Sequence, residues 1–327
     1  MFDAATIGSA IRSTDATFPT TSPTSLPAPD ANPPSPAEML AGRGQLVMPP
    51  AGIRPRNAIV ICPGLGGPTE EREFTYARRL ATLGHAALVL SPYATRAAAW
   101  LPDTLRPIRV GPAMVLADAF AALRWLRGHP EIGPSVPVTV MGFSYGGMVS
   151  LLAAHEQVAR GFAPDGERFA GHVAYYGCSV PRLEEPAATG APVLMLFGEK
   201  DRNVSLPRAR MMAEDLRRGG AAEVRMEVLP GAWHAWDGWD ERHRWVAFSL
   251  RDCMVTIGRD GVMRDEANGR PVSGHLALLL FLARHARLEG YHMQRNEAVA
   301  RATDATLFNF LDRIASAPAP ISDAAGG

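Results

Sequence analysis

VTVMGFSYGGMVSLLAAH, Val138 to His155, sets a serine between glycines with an apolar run on either side. Val138, Thr139, Val140 and Met141 have the character of a strand. Met148, Val149, Leu151, Leu152, Ala153 and Ala154 have that of a buried helix. Ser144 stands at the junction. A strand that turns sharply into a helix pushes its junction residue into uncommon backbone. Gly142 and Gly146 are then required, because a Cβ at either would clash. The free N–H groups at the start of such a helix suit a negative charge developing beside the serine. A lone GxSxG in a chain with 31 glycines decides little. Its flanks decide whether it is a nucleophile's turn or only a turn.

The flanks repeat one pattern. NAIVICPG, HAALVLSPY, VPVTVMG, HVAYYG, APVLMLFG and AEVRMEVLPG read as strands, with QLVMPP as a short one before them. Between them TEEREFTYARRLATLG reads as a helix, capped by Thr69 and ended by Gly84. GPAMVLADAFAALRWLRGHP is a second, with Leu116, Phe120, Leu123 and Leu126 on one face and Pro130 past its end. SLPRARMMAEDLRRGG is a third, with Ser205 as cap and Gly219 at its end. Apolar strands alternating with helices predict an α/β protein, a mostly parallel central sheet with helices on both faces. No internal repeat is visible.

Residues 1–40 are rich in Pro, Ser, Thr and Ala and read as a tail without packed structure. Residues 41–316 form the domain, and 317–327 a frayed end. Within the domain, residues 241–291 exceed what the plain fold needs. CMVTIGRDGVMRD is expected to be a hairpin turning at Asp260-Gly261. HLALLLFLARHARLEG reads as a buried helix, and NEAVARATDATLFNFLDRIAS as an amphipathic closing helix. The insertion is either a structural layer at the sheet's edge or a partial cap over the site.

Lys+Arg and Asp+Glu both number 33. A nucleic-acid binder would carry a basic excess, and none is present. Cys62, Cys178 and Cys253 lie far apart without CxxC or Cys/His spacing, so neither a disulfide framework nor a metal site is suggested. The N-terminus has no basic n-region or sustained apolar run, and LALLLFLA is too short to span a bilayer. The expectation is a cytoplasmic protein with no membrane partner.

A serine hydroxyl needs a base, and the base needs an acid to orient it. On this fold the order along the chain is serine, acid, histidine, each just past a strand. APVLMLFG is followed by Glu199 and Asp201, of which Asp201 is favoured. AEVRMEVLPG is followed by His234. The oxyanion hole needs two backbone donors. Tyr145, next after the serine, supplies one. Leu65, in the glycine-rich loop after NAIVIC, supplies the other. Trp233, Trp236 and Trp239 surround His234 and are candidates for a substrate wall.

VMGFSYGG, HVAYYG, PVLMLFGEKDRNV and LPGAWHAWD together resemble the dienelactone hydrolase family of the α/β-hydrolase superfamily, from about Gly44 to Asp240. The resemblance implies Ser144, Asp201 and His234 as the triad, with Leu65 and Tyr145 as oxyanion donors. It implies hydrolysis of a small-molecule carboxylic ester or lactone without a cofactor. It departs in having a serine where the founding members have cysteine, and Gly64 where they have an acid. Of the arginines with which that family holds a substrate carboxylate, Arg96 in SPYATR is a candidate counterpart, while the position four after His234 is Gly238. The rival readings are a peptidase or amidase on the same triad and a non-catalytic binding protein of this fold.

Overall fold

The computed structural model describes residues 10–27, 35–103, 105–238 and 244–317. Nine strands precede the histidine loop: β1 (Arg12–Thr20), β2 (Leu40–Met48), β3 (Ala58–Cys62), β4 (Ala86–Leu90), β5 (Val138–Phe143), β6 (Gly171–Tyr175), β7 (Pro181–Leu183), β8 (Val193–Gly198) and β9 (Val224–Leu229). Eight of them form one sheet, in the order β1-β2-β4-β3-β5-β6-β8-β9. β1 and β2 run antiparallel, as do β2 and β4. From β4 to β9 every pairing is parallel.

Every residue of β3, β4, β5, β6 and β8 is buried, as expected of a sheet covered on both faces. Alternate residues feed two cores. Val60 and Cys62 of β3 share one with Leu116, Phe120 and Leu123 of α2. Ile59 and Ile61 share the other with Tyr76 and Leu80 of α1 and with Leu307, Phe310 and Leu311 of α7. Here α1 is Thr75–Thr82 and α2 is Pro112–Gly128, followed by α3 (Tyr145–Ala153), α4 (Glu156–Phe162), α5 (Leu206–Arg218), α6 (His275–His285) and α7 (Glu297–Ser316). The apolar stripe read along α2 is fully buried. Each such side chain contributes about 1.5–3 kcal/mol.

The expected tail differs. Arg12–Thr20 is a full edge strand, in register with Leu40–Met48. Its inward residues Ala16, Phe18 and Thr20 are buried, while Asp15, Thr17 and Pro19 face outward. An edge strand tolerates proline, since one side of its backbone needs no partner. Thr20 Oγ1 also donates to buried Asp118 at 2.7 Å. Residues 1–9 and 318–327, also read as loose, lie outside the described residues.

One expected helix cap also differs. Thr69 caps no helix N–H; its N–H and hydroxyl both donate to Glu73 Oε2, at 3.0 and 3.3 Å. The chain opens instead on a wide turn, with Phe74 N–H donating to Thr69 O, five residues back. Ser205, by contrast, accepts from Arg208 N–H at 3.4 Å, as a cap does.

The segment after the histidine loop is built of small pieces. β10 (Arg244–Val246) pairs antiparallel with β13 (Tyr291–Met293). β11 (Val255–Ile257) and β12 (Met263–Asp265) form the hairpin read at Asp260-Gly261, and β11 also pairs with β7. The helix expected to be buried is not: of α6, Phe281 alone is buried, while Leu276 is 71% exposed and Leu280 64%. A helix apolar all round needs neighbours all round, and here they cover one side.

Candidate active site

Ser144 sits at φ 52° and ψ −109°, between β5 and α3. Such backbone costs a residue with a Cβ about 1–3 kcal/mol and persists only where its surroundings over-determine it. They do here. Ser144 N–H donates to Tyr175 O at 2.9 Å, and Ser144 O accepts from Met148 N–H at 3.0 Å and Cys178 N–H at 3.2 Å. A Cβ on Gly142 would lie 2.1 Å from Gly146 O, and one on Gly146 would lie 2.0 Å from Cys62 O. Both glycines are therefore obligatory for the turn.

The parallel strands bring three loops to one end of the sheet. His234 Nε2 lies 3.0 Å from Ser144 Oγ, and His234 Nδ1 lies 2.7 Å from Asp201 Oδ2. With Nδ1 protonated, His234 donates to Asp201 and accepts from Ser144, the arrangement that moves a proton off a hydroxyl. Asp201 is buried, and its Oδ1 accepts from Asn203 N–H at 2.8 Å. Glu199 is exposed and accepts instead from Gly231 N–H at 2.8 Å. Of the two acids left open by the sequence, the structure brings Asp201 to the histidine.

Ser144 and His234 line a pocket of about 360 Å³ together with Leu65, Arg72, Asp103 and Tyr291. Leu65 is pinned by its carbonyl, which accepts from Arg106 Nη1 at 2.9 Å. Tyr145 is the first residue of α3, so its N–H has no carbonyl one turn earlier to donate to.

Other expected site residues lie elsewhere. The side chain of Arg96 is largely covered and spends its guanidinium on Asp118, at 2.7 and 3.0 Å, and on the carbonyls of Thr21 and Met114. It ties the edge strand to α2 and faces no pocket beside Ser144. Trp236 is fully buried against Tyr175 and Tyr176, its indole donating to Thr303 Oγ1. Trp233 packs on Lys200 and His292. Neither tryptophan lines the pocket. Trp239 lies outside the described residues.

Several contacts were beyond sequence reasoning. The rings of Tyr176 and Tyr291 flank the His234 imidazole at 4.7 and 4.8 Å. Tyr176 is itself at φ 39° and donates to buried Asp237 at 2.6 Å. Cys178 Sγ lies 3.8 Å from Ser144 Oγ. Burial pushes that thiol up to about 12, so it is held protonated and is no rival nucleophile at neutral pH. Nothing in HVAYYGCSV marks Tyr176 or Cys178 as neighbours of the site, since contact across strands has no local signature. Among the described residues no group of three or more His, Cys, Asp or Glu side chains could share a metal ion, and no helix is long and apolar enough to cross a membrane.

Comparison with known proteins agrees with this fold. The model of the Dienelactone hydrolase family matches residues 43–243, more than half of the chain. The chain belongs to the Dienelactone hydrolase family. It is a hydrolase of the α/β-hydrolase fold that acts on small-molecule esters or lactones. Among solved structures, a protein of Klebsiella pneumoniae described as a dienelactone hydrolase is 21% identical with a TM-score of 0.51, over 69% of this chain and 88% of its own. That likeness bears on the fold. A dienelactone hydrolase-like promiscuous phosphotriesterase from metagenomic libraries is 23% identical with a TM-score of 0.49, over 68% of this chain and 84% of its own. An esterase of Pyrococcus furiosus is 14% identical with a TM-score of 0.49, over 72% and 88%. No curated protein matches the sequence.

Proposed function

We propose that the chain is a serine carboxylic ester hydrolase working through an acyl-Ser144 intermediate. The observation that carries this is the run of contacts Ser144–His234–Asp201, at 3.0 and 2.7 Å, at a strained strand-to-helix turn. Ser144 Oγ attacks the carbonyl carbon while its proton passes to His234 Nε2. The N–H groups of Leu65 and Tyr145 stabilise the tetrahedral oxyanion. The carbon–oxygen bond to the alcohol breaks, and His234 returns the proton to that oxygen. Water then attacks the acyl carbon and gives a proton to His234; the bond from that carbon to Ser144 Oγ breaks, His234 returns the proton to Oγ, and the acid leaves with Ser144 free. Asp201 keeps Nδ1 protonated and stabilises the imidazolium between steps. The free thiols of Cys62, Cys178 and Cys253 support a cytoplasmic location.

A fluorophosphonate probe tests the reading. It should label the wild type on Ser144 and fail to label Ser144→Ala. Equal labelling of the two proteins would move the nucleophile elsewhere.

A further inference from the structure

Two chambers share a wall residue. The first, of about 360 Å³, holds Ser144 and His234 and carries Thr69, Arg72, Asp103 and Gln294 in its walls. The second, of about 230 Å³, is walled almost wholly by apolar side chains, among them Met148, Val180, Val255, Met263 and Phe281. Phe248 lines both. Tyr145, next to the nucleophile, lines the second, and its hydroxyl is turned away to donate to Val110 O at 3.0 Å. The outer wall of this chamber comes from the expected insertion: Leu250, Cys253, β11, β12 and the inner face of α6.

The chemistry assigns the chambers to the two halves of an ester. His234 must hand a proton to the departing oxygen, so the alcohol part must leave within hydrogen-bond reach of Nε2. Ala235 and Gly238 of the histidine loop line the polar chamber. The acyl part then points the other way, past Phe248 and Tyr145. A cavity of roughly 150 Å³ with aliphatic and aromatic walls takes up benzene, six carbons. By that measure this one holds roughly six to ten carbons.

On the hydrolase reading above, we propose that the apolar chamber is an acyl-chain site, and that the substrate is an ester of an unbranched, apolar, medium-length acid with a compact polar alcohol. The described part of the insertion, residues 244–291, thereby acts as a partial cap that sets acyl length. Val180 stands where β7 meets the hairpin of this cap, and Leu278 projects from α6 into the same space.

The test is a series of p-nitrophenyl esters from acetyl to hexadecanoyl, with the leaving group constant. Each buried methylene should raise kcat/KM about fourfold, to a maximum between hexanoyl and decanoyl, with a fall beyond dodecanoyl. Lengthening the alcohol of alkyl acetates from methyl to octyl should change kcat/KM less than about threefold in all. Val180→Phe, and independently Leu278→Phe, should move the optimum to shorter acids and cut the octanoyl-to-acetyl ratio at least about tenfold. Leu280→Ser, on the exposed side of α6, should leave the series as it is. If fluorophosphonate still labels Ser144 but the acyl series is flat or peaks at acetyl, the acyl site is wrong while the hydrolase reading stands. An optimum unmoved in a folded Val180→Phe or Leu278→Phe also overturns it. No turnover of any ester and no labelling would overturn the hydrolase reading, and the acyl site with it.

Discussion

The sheet body and the segment from Arg244 to Met293 are both rich in apolar residues, yet they use them differently. In the body, strands such as Val138–Phe143 and Val193–Gly198 are wholly buried and carry the loops of Ser144 and Asp201. In the segment the strands are three residues long, and α6, with five leucines, two alanines and a phenylalanine in HLALLLFLARH, buries Phe281 alone. Apolar content is thus not burial. In the body it is core. In the segment one face lines a cavity and the other meets solvent.

If this contrast is right, the chemistry belongs to the body and only selectivity to the segment. Ser144→Ala should lower ester turnover about a million-fold, to what the oxyanion hole and binding alone provide. Asp201→Asn should lose roughly ten-thousand-fold, since His234 would be held in the wrong tautomer. Glu199→Gln should lose under about threefold. A steady-state assay on one nitrophenyl ester reads all three, and a larger loss at Glu199 than at Asp201 would refute the assignment of the acid.

Stability should divide along the same line. Phe18→Ala removes a fully buried ring from the edge strand and should cost about 3–5 kcal/mol by urea unfolding. Leu280→Ser, on the exposed face of α6, should stay within about 0.5 kcal/mol. Near-equal costs would erase the distinction between the two regions.

A separate effect is expected on acid stability. Burial pushes His85 and His155 down to about 4 and His172 to about 3, against about 6.5 in an unfolded chain. The unfolded state therefore binds more protons below pH 6.5. Stability is fully present above that pH and is lost as pH falls toward 4. The melting temperature should fall by several degrees between pH 7 and pH 5. All three histidines belong to the body, so replacing the hairpin of the segment should leave the slope unchanged, and a slope that vanishes with the hairpin would locate the titration there instead.

What the sequence revealed follows the same division. Long parallel strands between capped helices announce themselves, because burial on both faces leaves continuous apolar runs. The positions of Ser144, Asp201 and His234 followed from strand order, and the structure brings their side chains together. The edge strand was hidden because Ala16, Phe18 and Thr20 make a short alternation inside a Pro/Thr-rich stretch, and only one face of it packs. Arg96 was misread because a resemblance in motif, and Trp236 because proximity in sequence to His234, says nothing of side-chain direction. Arg96 turns toward Asp118, and Trp236 turns into the core. The leucines of α6 were misread because periodicity reports an apolar face, not whether a partner covers it.

The account's central claim is that Ser144 carries the acyl group. Rapid acid quench during turnover of a p-nitrophenyl ester, followed by peptide mass analysis, tests it most directly. The peptide bearing Ser144 should gain the mass of the acyl group, and that mass should disappear as substrate is exhausted. Acyl mass on Cys178, 3.8 Å away, or hydrolysis at full rate with no acyl-peptide under quench, would contradict it.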